Sequence, residues 1–165
     1  MLNGGAKLID LQQETEFPFP TMTLDNDHCF LCGAFLTEEN RTDEHVYPRW
    51  LQTKFDLWNQ HLILLNRTQI PYRDLKIPCC RRCNSYLGET IEKPIETAVS
   101  IGYDEMIKLD KQKVFQWLCK LSYGILFKEM SLKMDRSNPE KGTILSPADI
   151  KEERTLLLFL QAVLT

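Results

Sequence analysis

Two C-x-x-C pairs, Cys29/Cys32 and Cys80/Cys83, stand 47 residues apart in this chain. Each pair places two thiols on one turn, where both can reach the same ion. Together they supply the four thiolates of a closed tetrahedral zinc site, at Zn–S distances of ~2.3 Å. Such a site dictates much else, because the segment between the pairs must leave one point and return to it. Zinc binding then contributes directly to folding. Cys79 adjoins the second pair, but only Cys80 completes C-x-x-C with Cys83, so Cys80 is the expected ligand and Cys79 a neighbour that packs or shields. His28 could serve in a variant site, but the four cysteines already fill the shell. Cys119 lies in an apolar helical stretch and reads as core.

The competing reading of the cysteines is disulfide pairing, which requires an oxidising compartment. Residues 1–10 contain two glycines and an aspartate where a signal peptide would be apolar. The longest nearly uncharged apolar stretch, Thr155–Thr165, falls short of the ~20 residues of a membrane span. The expectation is a soluble, cytoplasmic protein with no membrane association.

With 165 residues and 43% hydrophobic content, the chain is expected to form one domain, or one domain with an added helical layer. An extended N-terminal arm is expected over 1–24, where Phe17-Pro18-Phe19-Pro20 opposes helix formation. The zinc-stapled core should occupy 25–94. Within it, Asp25–Gly33 forms a tight turn, Glu44–Tyr47 a short strand ended by Pro48, and Arg49–Trp58 a helix. Leu62–Leu65 and Leu75–Ile77 read as strands, and a helix runs from Asn84 to about Lys93, where Pro94 breaks or restarts it. Residues 95–165 should be a helical accessory or interaction region. Its strongest helix covers Lys113–Met134, with an apolar face of Val114, Phe115, Trp117, Leu118, Leu121, Ile125, Leu126 and Met130. Ser146-Pro147-Ala148-Asp149 opens a final helix with a capping box. That helix is still apolar at Leu164, so it is expected either to continue in a longer chain or to dock on a partner, a protein or a second copy. The tryptophans and phenylalanines read as core.

Between the cysteine pairs lies Glu44-His45-Val46-Tyr47-Pro48, and Asn84 directly follows the last cysteine in Cys80-Arg81-Arg82-Cys83-Asn84. In order, spacing and residue type, the span from about Asp27 to Lys93 resembles the HNH endonucleases. The resemblance implies an α+β fold: a small zinc-bound ββα-metal core followed by a predominantly helical C-terminal region. It implies that His45 is the general base and that Glu44 and Asn84 are catalytic-site residues and ligands of a catalytic Mg2+ or Mn2+. Glu92, eight residues past Asn84, would add a ligand or orient one. The family's middle motif asparagine has no clean counterpart; Asp74 is the nearest candidate, and Asn66 lies too far upstream. The resemblance further implies an antiviral or mobile-element setting.

These residue types suit phosphodiester hydrolysis, which needs an activated water, neutralised phosphoryl oxygens and a stabilised leaving group. The chain carries a net charge of −3, yet residues 41–90 hold eight basic residues against five acidic ones. Positive charge therefore gathers where a phosphate backbone, most simply that of DNA, would lie. Arg49, Arg81 and Arg82 are the candidate phosphate contacts. Each residue also has a plainer role: His45 a core hydrogen bond, Glu44 a surface ion pair, Asn84 a helix N-cap. His61 has no partner in sequence. The alternative is a non-catalytic zinc-binding module that binds nucleic acid or a protein.

Overall fold

The computed structural model describes residues 22–152 and 154–161. Most of the expected arm, and Leu164, lie outside the described residues. The fold is mixed α and β, with short strands in the first half and helices dominating the second. Among the described residues no helix is long and apolar enough to cross a membrane.

The central unit is an antiparallel pair, β1 (Arg41–His45) with β4 (Lys76–Cys80), in the register Arg41↔Cys80 to His45↔Lys76. Both strands are displaced from their expected positions. β1 begins three residues before Glu44 because all of Lys76–Cys80 needs a pairing partner. It ends at His45, where the amide of Val46 leaves the ladder for the Leu75 carbonyl at 3.0 Å. Pro78 is tolerated inside β4 because this sheet has only two strands.

β4 runs directly into α2 (Arg81–Tyr86), capped by the Cys80 sulfur, which accepts from the Cys83 amide at 3.5 Å. The helix therefore begins before Asn84. It continues through a π-helical turn, Leu87–Glu92, into α3 (Lys93–Ile101). Pro94 does not interrupt it: lacking an N–H, the proline fits the junction where the widened turn returns to α geometry. The expected boundary at residue 94 thus falls inside a helix.

Helix α1 (Arg49–Lys54) is shorter than the apolar spacing suggests. Phe55 caps it and Asp56 turns the chain at φ 50°, which leaves Phe55 and Trp58 exposed instead of in the core. Gln52 is buried in their place, and its amide donates to the Tyr47 carbonyl at 2.7 Å. A second two-stranded sheet, β2 (His61–Ile63) with β3 (Gln69–Pro71), leads through a 3-10 turn at Tyr72–Asp74 into β4.

After the short α4 (Tyr103–Met106), the long helix α5 (Lys111–Ser131) forms where the sequence places it, capped by Asp110. Its buried face matches the expected one only in part: Met130 is buried, and Trp117, Ile125 and Leu126 pack against the core partly buried. Gln116, Cys119, Lys120, Tyr123, Gly124, Phe127, Glu129 and Met130 are buried, while Phe115 and Leu118 are substantially exposed. Polar and small residues join the buried face because α5 docks against the β1–β4 pair. Lys120 donates to the His45 carbonyl at 2.8 Å and Lys128 to the Lys76 carbonyl at 3.1 Å, so α5 straddles one cross-strand pair. Phe30, Tyr123 and Phe127 form the aromatic centre of the core, with ring centroids of Phe30 6.5 Å and 6.3 Å from the other two.

The expected capping box opens α6 (Pro147–Glu152): the Ser146 amide donates to Asp149 Oδ2 at 2.6 Å and the Asp149 amide to Ser146 Oγ at 3.3 Å. Helix α7 (Arg154–Gln161) then packs on α5, and the Gln161 amide donates to the Leu31 carbonyl at 2.9 Å. The described part of the terminal helix thus docks within its own chain.

At Gly124, α5 packs closely against Val46, the residue after β1. A Cβ there would lie 2.9 Å from both methyls of Val46, a stiff β-branched side chain. Gly124→Ala is expected to destabilise the chain by about 1–3 kcal/mol in a denaturant titration, the range for overpacking.

Candidate functional site

The first cysteine turn closes through the Cys29 amide on the Ala34 carbonyl at 2.8 Å and the Gly33 amide on the Cys29 carbonyl at 2.9 Å. Gly33 adopts φ 72°, a left-handed conformation that glycine takes freely. The second turn is the β4–α2 junction. Between them, the sulfurs of Cys29, Cys32, Cys80 and Cys83 all lie within 4.8 Å of one another. A tetrahedron built on ~2.3 Å metal–sulfur bonds has edges of about 3.8 Å. Cys32 and Cys80 already stand 3.8 Å apart. The four thiols therefore fit a metal such as zinc.

Hydrogen bonds from Cys79 and then Cys83 hold the Cys29 thiol far below its ordinary value. Burial pushes Cys32 up to about 11. Cys79, its sulfur 3.9 Å from that of Cys29, is the expected shielding neighbour. His28 binds Asp25 at 2.7 Å instead of joining the cluster, and Cys119 is buried in the core as expected.

Beside the staple lies an open cleft of about 330 Å³. It gathers His45, Glu44, Asn84, Glu92 and Arg49, five of the residues singled out in the sequence, and adds Asp43 and Trp50. Arg81 and Arg82 do not line it; Arg81 reaches the Glu39 carbonyl at 3.2 Å. Asn84 is not an N-cap, because it stands four residues past the capping Cys80. Its amide donates instead across to Thr42 Oγ1 at 3.0 Å and the Asp43 carbonyl at 3.4 Å. The π turn aligns Glu92 with it. Eight residues of regular α-helix leave a phase difference of roughly 80°, and the extra residue absorbed by a π turn cuts this to roughly 20°.

The sequence reading missed Lys120. This residue is fully buried, and its ammonium pairs with both Glu44 and Glu92 while donating to the His45 carbonyl. Its three N–H donors thus have three acceptors. The available signal was a lysine in phase with Gln116, Tyr123, Gly124 and Phe127, on a face that only the docking of α5 defines. Burial opposes the Lys120 charge, but Glu44 and Glu92 outweigh it and raise its pKa. Burial pushes Glu44 up to about 7, with Lys120 opposing and Glu92 adding repulsion. The expected ion cradle of Glu44 with Glu92 therefore does not fit a metal as it stands, since a lysine lies between the two carboxylates. Asp43 and Asn84 remain as oxygen donors on the open side.

His45 is among the residues lining the cleft; its Nε2 is buried and without a hydrogen-bond partner, and its ring centroid lies 6.4 Å from that of Trp58. Burial, helped by Lys76, Arg49 and Lys120, lowers its pKa to about 4. Asp74 does not steady its loop: it sits on the 3-10 turn with its carboxylate 3.8 Å from Arg73 Nε. Gln52 and the Leu75 carbonyl hold the loop instead. Asn66 anchors the β2–β3 turn to the Lys133 and Met134 carbonyls, and His61 lies exposed on β2.

Two measurements follow. Metal analysis of the purified chain should find one tetrahedrally bound ion, and Cys83→Ser should lose it together with much of the thermal stability. An NMR titration should place the His45 midpoint near about 4, against an ordinary 6.5. Because the folded value is the lower one, stability on this account is intact above pH 6.5 and lost as pH falls towards 4.

Compared with known proteins, the chain matches no protein-family model, no curated protein and no solved structure.

Proposed function

We propose that the chain is an HNH-type endonuclease that hydrolyses phosphodiester bonds in nucleic acid, with DNA as the substrate. The observation that carries this reading is the convergence of His45, Asn84, Glu44, Glu92 and Arg49 on one open cleft beside the four-cysteine cluster. The cysteines hold a structural zinc, which fixes the β4–α2 junction and so the position of Asn84.

In the reaction, a water attacks the scissile phosphorus, His45 takes its proton, and the bond to the leaving oxygen breaks. His45 is neutral at physiological pH and so able to accept that proton. The cations that lower its pKa, Lys76 and Arg49, also draw a phosphate towards the cleft; the arriving phosphate charge then raises the pKa into a useful range. A Mg2+-class ion held by oxygens of Asp43 and Asn84 supplies charge neutralisation at the phosphate when bound. Asn84 is preset for this, because its amide nitrogen is committed to Thr42 and Asp43.

One observation favours a second reading. Lys120 neutralises two of the expected ion ligands, as a purely structural ion network would. In that reading the chain is a non-catalytic zinc-binding module. Plasmid cleavage with Mg2+ or Mn2+ separates the two. The nuclease cuts only with the ion, and His45→Ala loses about 10²–10⁴-fold in rate, the range for a general base. Equal cutting by parent and variant, or none by either, rejects the catalytic role of His45.

A further inference from the structure

The contacts of Lys120 go beyond what an internal ion pair requires. Its ammonium is enclosed by the Glu44 and Glu92 carboxylates and the backbone carbonyl of His45. Three elements are joined at that nitrogen: β1 through Glu44 and His45, the π turn through Glu92, and α5 through the lysine itself. The lysine is fully buried, while Glu44 and Glu92 are both among the residues lining the cleft. A cation is therefore built into the wall of the site, where two convergent carboxylates would otherwise attract one from solution.

We infer that Lys120 is the resident cation of this cleft, occupying the position between Glu44 and Glu92 that a divalent ion would take, and that it acts as a positioning residue for His45. The carboxylates hold the ammonium, and the ammonium holds the His45 carbonyl, so the imidazole departs from a fixed backbone. A neutral residue of similar length at position 120 leaves two carboxylates facing each other with nothing between them. Oxygen ligands in that arrangement suit a hard divalent ion. Arginine at 120 keeps the charge and keeps such an ion out.

The test reads ion binding on the full chain with its cysteine cluster loaded with zinc, so it succeeds or fails independently of nuclease activity. Mn2+ is titrated by electron paramagnetic resonance into the parent, Lys120→Met and Lys120→Arg. Lys120→Met should bind one more Mn2+ per chain than the parent, and Lys120→Arg the same number as the parent. Adding Glu92→Gln to Lys120→Met should abolish the additional ion. An unchanged Mn2+ count in Lys120→Met overturns the inference, as does a gained ion that survives Glu92→Gln. Should Lys120→Met fail to fold, the parent decides the question by 15N NMR of the Lys120 ammonium. A signal unmoved by saturating Mg2+ supports the resident cation, and release of the ammonium by Mg2+ overturns it.

Discussion

Four sulfurs gathered within 4.8 Å tie the turn at Cys29–Cys32 to the junction of β4 and α2, and the other elements are arranged around that crossing. A structural zinc in small modules contributes about 10–16 kcal/mol, comparable with the ~5–15 kcal/mol net stability of a whole domain. Without an ion, burial raises the Cys32 thiol and the contact with Cys29, then burial, raises that of Cys83, so closing the site on a metal displaces protons. β4 ends at Cys80 and α2 starts at Arg81, so an ion held by these sulfurs would fix where Asn84 falls relative to β1. The Phe30 side chain, carried between the first two cysteines, packs into the aromatic core and couples the staple to α5.

Electrostatics sets the second condition. A lone buried ammonium costs several kcal/mol, and removing one partner of a buried pair costs about 3–5 kcal/mol. Lys120 avoids that penalty only while β1, the π turn and α5 are all in place, so its burial makes the three interdependent. Gly124, one turn further along α5, serves the same docking by giving Val46 room. One face of one helix thus governs both the charge and the position of the segment that carries His45.

The parts of this arrangement legible in the sequence were those that obey local rules. The cysteine spacing, the positive φ at Gly33, the Ser146–Asp149 capping box and the length of α5 follow from short-range chemistry, and each appears where the residues imply. His45, Asn84 and Glu92 line one cleft; the sequence pointed to Glu92 by its spacing of about two helical turns from Asn84, and to His45 by the resemblance. Equating apolar with buried held for Cys119, Phe30, Phe127 and Met130 and failed elsewhere. Phe55, Trp58, Phe115 and Leu118 face solvent, while Gln52, Gln116 and Lys120 are enclosed. Burial of those polar groups depends on partners distant in sequence: Tyr47 for Gln52, and Glu44, Glu92 and His45 for Lys120. No window of neighbouring residues contains that information. The π turn of Leu87–Glu92, which packs on α5, was not legible either.

The reach of α5 also bears on modularity. The stretch from the first cysteine pair to Glu92 looks like a portable cassette, with its own staple, strands and helix. Yet the ammonium that balances its two inner carboxylates is contributed 28 residues beyond Glu92. Transplanted alone into another scaffold, the cassette would bring its anions without their counter-charge. The helical half is therefore a component of the site, and the smallest transferable unit extends from the first cysteine turn through the end of α5.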